Sequence, residues 1–338
     1  MGAMMEGLGP VFINHLSSKP PPKGAQIADA VFRQMRRDFF VASPFVLHAS
    51  VPELLAGAWA LVRETLFTGD APRGSKEIVA WAVSGANQCP FCVGAHNAAV
   101  AAANVEDPAR QDWAAATSTA GDARLFPTPF QTHIEEYFGM VVAFHYLNRM
   151  VSVFLDDKMM PTPDVMNGMS NAMAKIMMGG MIKKGERNAP GAALEVLPTF
   201  DESLAWRPKW AQGNPAIASA IAGWSALVEG AARTYLDGVV LDALSGVVSG
   251  WMGGEVTPDV EWIASVRPAV PAAHREAIEL AMLTVMAPFA VDDDRVTRVL
   301  DSGYSSEQAL VLVAWAAQRA ARRVAEWTAR PSEVAPAG

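Results

Sequence analysis

The stretch EIVAWAVSGANQCPFCVGAHNAAVAAAN, residues 77–104, decides how this chain folds. After its first residue it holds no Asp, Glu, Lys or Arg, and apolar residues recur at helical spacing on both sides of the polar break GANQCP. Its length would suffice to span a bilayer, but amides freed at the break would lack partners in lipid. We therefore predict two buried helices, Lys76–Gln88 and Phe91–Asn104, joined by a turn.

Helical spacing continues along most of the chain, and alternating strand patterns are nearly absent. Further helices are predicted at Ala25–Phe40, Val51–Phe67, Ile134–Leu155, Asp164–Ile182, Ile217–Thr234, Ala273–Pro288 and Gln308–Thr328. Ser305, with Gln308 three residues on, predicts a capping box before the last of them. Frequent breakers between Lys183 and Arg207 predict an irregular connection there. The fold class is therefore predicted to be all-α.

Composition excludes several classes of protein. The chain has 338 residues, of which 51% are hydrophobic, enough for substantial cores and for two domains of ordinary size. Its 27 basic and 35 acidic residues show no basic cluster that would bind nucleic acid. The two cysteines lie three residues apart, unlike a secreted disulfide framework, and residues 1–22 show no export signal. We therefore expect a cytoplasmic protein without nucleic-acid or membrane partners.

The two halves of the chain resemble each other. Shifting the sequence by 199 residues places Glu77 on Glu276 and Asn104 on Gly303. The other residues of interest change in this register, where Cys89 falls on Pro288, Cys92 on Val291 and His96 on Arg295. At other offsets, the segment around Trp59 resembles the one around Trp224, and the segment from Glu135 resembles the one from Glu307. Duplication explains this pattern, and chance similarity among alanine-rich helices is the alternative.

The spacing of Cys89, Cys92 and His96 indicates redox chemistry. Pro90 suits the first turn of a helix, so the helix is expected to begin at or just after Cys89. Residues three or four apart share a helix face, which places Cys92 below Cys89 and His96 one turn further along. Free amides at a helix start stabilise a thiolate, and Cα atoms about 5 Å apart allow a reversible disulfide.

Glu77 lies on the preceding helix, and a turn at Asn87–Gln88 would bring that helix back beside the thiols. A carboxylate near His96 would raise the basicity of the imidazole and help to pass protons between solvent and sulfur. Glu77 also has a structural interpretation, because Glu276 occupies the matching place in a half without cysteines.

The pattern Glu, eleven residues, Cys, two residues, Cys, three residues, His resembles that of AhpD-like alkylhydroperoxidases in the carboxymuconolactone decarboxylase superfamily. The similarity extends through SPFVLHASVPELLAGAWALVRETLF, residues 43–67, and more loosely over most of the chain. It implies an AhpD-like helical bundle with a tandem duplication. The predicted domains are residues 20–185, with the CxxC site, and residues 205–330, a degenerate repeat without cysteines.

This resemblance also implies roles for the site residues. Cys92 would be the peroxidatic thiol, Cys89 the resolving thiol, and Glu77 with His96 the proton relay. The substrate would be a small hydroperoxide. No bound cofactor or metal is expected, and an external dithiol reductant such as a lipoyl group, thioredoxin or a small thiol would restore the thiols.

Two observations stand apart from those implied roles. The helix dipole alone favours Cys89 as the more acidic thiol, and its place at the helix start predicts that it is also the more exposed. The best-known family members carry a histidine immediately before the second cysteine, where this chain has Phe91. The sequence therefore leaves open which cysteine attacks first. It also allows three interpretations of the site: a slow peroxidase, a general dithiol oxidoreductase or a pocket for another substrate.

Other functions fit parts of the pattern. A lyase or isomerase of carboxymuconolactone decarboxylase type would use Glu77 and His96 to move protons on a small cyclic or biosynthetic substrate. A non-enzymatic redox sensor or scaffold would use the disulfide to change assembly. Structural zinc lacks a fourth ligand at suitable spacing. His133 and His145 are read as ordinary helix residues. Helical repeats with apolar stripes predict a homo-oligomer, with cyclic symmetry expected.

Overall fold

The computed structural model describes residues 16, 25–155, 188–254 and 270–329. Over these residues the fold is all-α, as predicted. The described residues form no β-strand, and the β-bridge between Thr119 and Gly253 is isolated. The α-helices are α1 (Ala25–Asp38), α2 (Ser43–Val46), α3 (Pro52–Leu66), α4 (Arg73–Ala86), α5 (Pro90–Ala103), α6 (Pro108–Ala116), α7 (Ile134–Phe154), α8 (Pro215–Tyr235), α9 (Gly238–Gly250), α10 (Arg275–Met286), α11 (Asp293–Asp301) and α12 (Ser306–Ala329).

The predicted helices within these ranges are all present, with ends moved by up to three residues. The helix predicted at Asp164–Ile182 lies outside the described residues. The predicted capping box is confirmed, because Ser305 Oγ accepts from the Gln308 amide at 3.1 Å and Gln308 Oε1 accepts from the Ser305 amide at 2.9 Å. Residues 188–207 contain only the short 3₁₀ helices Ala192–Val196 and Glu202–Leu204, as expected for an irregular connection.

Four helices were not predicted from the sequence, namely α2, α6, α9 and α11. Three of them begin at an aspartate that caps the first turn. Asp107 accepts from the Arg110 amide, Asp237 from the Val239 amide and Asp292 from the Arg295 amide. Helices α6 and α11 have only 9 residues each, and glycines weaken the helical pattern of α9. Their aspartate caps were the sequence signal for these three helices.

The core joins the two halves of the chain. Its main cluster contains buried residues from both halves, including Trp59, Trp224 and Trp315. Helix α3 packs against α8, and α7 packs against α12. Helices α3 and α8 approach closely at Gly57, where an added Cβ atom would lie 3.2 Å from the Trp224 Cα atom. None of the described helices is both long and apolar enough to cross a membrane.

Candidate active site

A tight turn between α4 and α5 positions the two cysteines. Asn87 caps the end of α4, and Gln88 takes a left-handed conformation with φ of 52°. The amide of Cys89 donates to the carbonyl of Ser84 at 3.0 Å. These contacts reverse the chain direction, so α5 packs against α4. The turn lies where the sequence predicted it, at Asn87–Gln88.

Cys89 and Cys92 form a disulfide at the start of α5, with Cα atoms 5.4 Å apart. Pro90 is the first helical residue, and Cys89 is the N-cap, whose Sγ atom accepts from the Cys92 amide at 3.4 Å. Cys89 is 1% exposed and Cys92 is 5% exposed. The expectation that Cys89 is the more exposed is therefore wrong. The turn at Gln88 directs Cys89 back toward α4, whereas an N-cap on an isolated helix would face solvent.

Glu77 and His96 meet across the two helices. Glu77 Oε2 lies 2.6 Å from His96 Nδ1, and the Glu77 side chain is only 1% exposed. Arg73, one turn earlier on α4, approaches the other oxygen, with Nε 2.7 Å from Glu77 Oε1. The α4–α5 hairpin thus holds three polar side chains in a row, Arg73 and Glu77 on α4 and His96 on α5.

The neighbours of Glu77 control its charge. Burial alone would raise the pKa of Glu77, but the charge of Arg73, followed by the charge and hydrogen bond of His96, outweighs burial and lowers this pKa to about 2. Glu77 is therefore ionised at neutral pH and can only accept hydrogen bonds. It follows that His96 Nδ1 donates to Glu77, which leaves Nε2 as the ring nitrogen available to other partners.

Two residues of this arrangement were not anticipated from the sequence. Arg73 lies four positions before Glu77, and that i, i+4 spacing was the available signal. Phe144 comes from α7, and its ring packs edge-on to His96 with ring centres 4.5 Å apart. No local pattern links Phe144 to His96, because 48 residues separate them. Phe91 is partly buried against the hydrophobic core.

The remaining histidines considered from the sequence lie apart from this row. His145 is fully buried, with Nε2 3.0 Å from Thr117 Oγ1. Burial and the nearby charge of Arg149 hold the pKa of His145 well below its usual value. His133 precedes α7, with Nδ1 3.5 Å from Glu136 Oε1. Across the described ranges, no group of three or more His, Cys, Asp or Glu side chains forms a metal-binding arrangement.

Comparison with known proteins identifies a relative over nearly the whole chain. The chain is 32% identical to the protein named alkyl hydroperoxide reductase Rv2159c of Mycobacterium tuberculosis, across 95% of this chain and 96% of that relative. No family model matches the chain. No solved structure matches it.

Proposed function

Because this chain belongs to the AhpD-like family of alkyl hydroperoxide reductases, we propose that it reduces organic hydroperoxides with the Cys89 and Cys92 thiols. The observation that carries this proposal is the disulfide at the start of α5, one helical turn from an imidazole whose orientation is set by a buried carboxylate. A dithiol that can close in place and a nearby proton donor are the groups that such a reduction requires.

The proposed reaction has two covalent steps. The Cys92 thiolate attacks one oxygen of the hydroperoxide, the O–O bond breaks, and the alkoxide leaves as an alcohol after taking up a proton. Cys92 is then a sulfenic acid. The Cys89 thiolate then attacks the Cys92 sulfur and the disulfide forms, while the S–O bond breaks and the hydroxide leaves as water after taking up a proton. Two electrons have passed from the dithiol to the hydroperoxide, and an external dithiol returns them by thiol–disulfide exchange.

His96 is the proposed proton donor to the departing alkoxide. With Nδ1 bound to Glu77, the Nε2 atom is the part of the ring that can exchange a proton with substrate or solvent. Because its pKa is low, Glu77 is proposed to act as a fixed charge that orients the imidazole and not as a carrier of protons. The Arg73 guanidinium holds the Glu77 charge in place, so Glu77 can orient the His96 ring as a fixed anion.

The decisive experiment measures consumption of cumene hydroperoxide with dithiothreitol or dihydrolipoamide. Wild type is compared with Cys89→Ser and Cys92→Ser. We expect both substitutions to reduce turnover to the background of the free thiol, because each removes one end of the disulfide. Turnover that neither substitution changes would sink the peroxidase and favour proton transfer by Glu77 and His96.

The order of attack is tested by trapping the sulfenic acid with dimedone. If Cys92 is the peroxidatic thiol, Cys89→Ser accumulates the trapped adduct on Cys92 and Cys92→Ser accumulates none. The reverse result assigns the first attack to Cys89. The Cys92 amide lies 3.4 Å from Cys89 Sγ, where it would stabilise a thiolate on Cys89, and this contact makes the reversal a physical alternative.

The runner-up is a lyase or isomerase of carboxymuconolactone decarboxylase type. The Glu77 to His96 contact supports it, because this pair needs no thiol to move a proton on a small acid. The disulfide would then be incidental. A redox sensor or scaffold would instead show no turnover but a change of mass in solution on reduction.

The proposal also covers the reductant, the cellular location, the assembly and the domain organisation of the protein. The reductant would be a lipoyl group, thioredoxin or a small thiol, and the protein would act in the cytoplasm as a homo-oligomer. The chain would also be a tandem duplication, with domains near residues 20–185 and 205–330. Helix packing supports this duplication, because α4 contacts α7 as α10 contacts α12, and α3 contacts α7 as α8 contacts α12.

A further inference from the structure

A buried arginine of α7 links the turn before Cys89 to the second half of the chain. Arg149 is 3% exposed. Its Nη1 atom donates to the His145 carbonyl within α7 at 2.7 Å and to Asn87 Oδ1 at 3.3 Å. Its Nε and Nη2 atoms donate to the Val285 carbonyl at 3.2 and 3.0 Å. Helix α7 therefore connects the end of α4 with the end of α10 through one side chain.

The end of α10 explains how this cation is accommodated. Burial lowers the pKa of Arg149 to about 9, which leaves the guanidinium charged at neutral pH. No carboxylate among the described residues forms an ion pair with it. Val285 is the penultimate residue of α10, so its carbonyl has no partner within that helix and lies at the negative end of the helix dipole. The Trp251 ring centre lies 5.5 Å from Arg149 Cζ.

The other end of the link holds the turn that carries Cys89. Asn87 is the cap of α4 and lies two residues before Cys89. Asn148, next to Arg149, contributes a second contact through its Oδ1 atom, which accepts from Ser84 Oγ at 3.2 Å. The Ser84 carbonyl in turn accepts from the Cys89 amide at 3.0 Å. Helix α7 thus contacts both Asn87 and Ser84, which flank the turn before Cys89.

We propose that Arg149 is a positioning residue for the dithiol, which it acts on through Asn87 by fixing the α4–α5 turn to the end of α10. The proposal rests on the redox role of Cys89 and Cys92 but not on hydroperoxide as the oxidant. It also gives the second half of the chain, which lacks cysteines, a part in the site of the first half.

The expected consequence concerns how readily the disulfide closes. Two thiols held in the right geometry have a high effective concentration toward each other, and loosening the turn lowers it. We expect Arg149→Met to lower the equilibrium constant for disulfide formation about tenfold. For a two-electron couple this corresponds to a rise in reduction potential of about 30 mV.

The test is a redox titration of Cys89 and Cys92 against mixtures of reduced and oxidised dithiothreitol. The variants are Arg149→Met, Asn87→Ala and the double substitution, with Arg149→Lys as the conservative change. We expect each single change to weaken the disulfide, the double change to add little to either one, and lysine to restore part of the effect. If Arg149→Met does not fold, Asn87→Ala alone still has to shift the equilibrium.

The matched control is Arg322→Met on α12. Arg322 is a partly buried arginine that also lies near a tryptophan, with its Cζ atom 5.3 Å from the Trp206 ring centre. Its loss should lower thermal stability without moving the redox equilibrium. An unchanged equilibrium in Arg149→Met and Asn87→Ala, or fully additive effects of the two, would overturn the proposal. Absence of hydroperoxide turnover in wild type would overturn the proposed function and leave this titration unaffected.

Discussion

In both the α4–α5 hairpin and the α10–α11 region, a carboxylate on the first helix contacts a nitrogen-bearing side chain on the second. The chemistry of the two contacts differs. In the first, Glu77 is buried between Arg73 and His96 beside a disulfide. In the second, the carboxylate of Glu276 is 22% exposed and pairs with Arg298 at 3.2 Å. Arg295, which the sequence register aligns with His96, forms an ion pair with Glu279.

The two contacts differ in the chemistry that their nitrogen-bearing side chains allow. A carboxylate and a cation can join two helices in either region, but an imidazole exchanges protons near neutral pH and a guanidinium does not. The helix start also differs. Helix α5 begins directly after Cys89, whereas a 3₁₀ helix at Pro288–Ala290 separates α10 from α11, and the Asp292 carboxylate caps α11. The α10–α11 region therefore differs from the α4–α5 hairpin in its backbone as well as in its lack of thiols.

The largest expected effect is a loss of turnover when the α4–α5 hairpin receives an arginine in place of its histidine, as at the aligned position of the α10–α11 region. His96→Arg keeps a hydrogen-bonding partner for Glu77 but removes the proposed proton donor. We expect turnover with cumene hydroperoxide to fall by about 10²- to 10⁴-fold, the usual contribution of general acid catalysis. Circular dichroism should show an unchanged helical content. A variant within tenfold of wild type would remove His96 from the proposed mechanism.

The next effect concerns the two ion pairs. Arg73→Met leaves Glu77 buried without its nearest permanent cation, and we expect the free energy of unfolding to fall by about 3 to 5 kcal/mol. Arg298→Met is the matched control, because the Arg298 side chain is 46% exposed and a surface pair contributes about 0 to 1 kcal/mol. Urea unfolding at pH 7 measures both. Equal losses would mean that burial does not distinguish the two regions.

The smallest effect is a difference in acid sensitivity. The folded pKa of Glu77, about 2, lies below its ordinary value of 4.5, so its contribution to stability is complete above pH 4.5 and disappears as pH falls toward 2. Glu77→Gln should therefore cost about 3 kcal/mol at pH 7. This difference from wild type should shrink when urea unfolding is repeated at pH 3.

Glu276→Gln is the control for this pH dependence. This substitution removes a partly exposed ion pair with Arg298 and should change the free energy of unfolding by less than about 1 kcal/mol at either pH. A difference between wild type and Glu77→Gln that stays constant from pH 7 to pH 3 would contradict the assignment of a low pKa to Glu77.

Much of the site was predictable because it depends on spacing within one helix. Cys89 and Cys92 are three residues apart, and helix geometry alone brings their Cα atoms to disulfide distance. The turn at Asn87–Gln88 was predictable from a polar break between two apolar runs. The exposure of Cys89 was predicted wrongly, because spacing gives the position of a side chain along its own helix but not what packs over it.

Local sequence patterns were enough to specify the all-α class, the helix pair of residues 77–104 and the register of Cys89, Cys92 and His96. These follow from periodicity and from short-range geometry along the chain. Two contacts arise from helix packing instead: Phe144 packs on His96, and Arg149 links Asn87 to the end of α10. Such contacts join residues far apart in the chain, so they depend on how whole helices pack, and no local pattern specifies that packing.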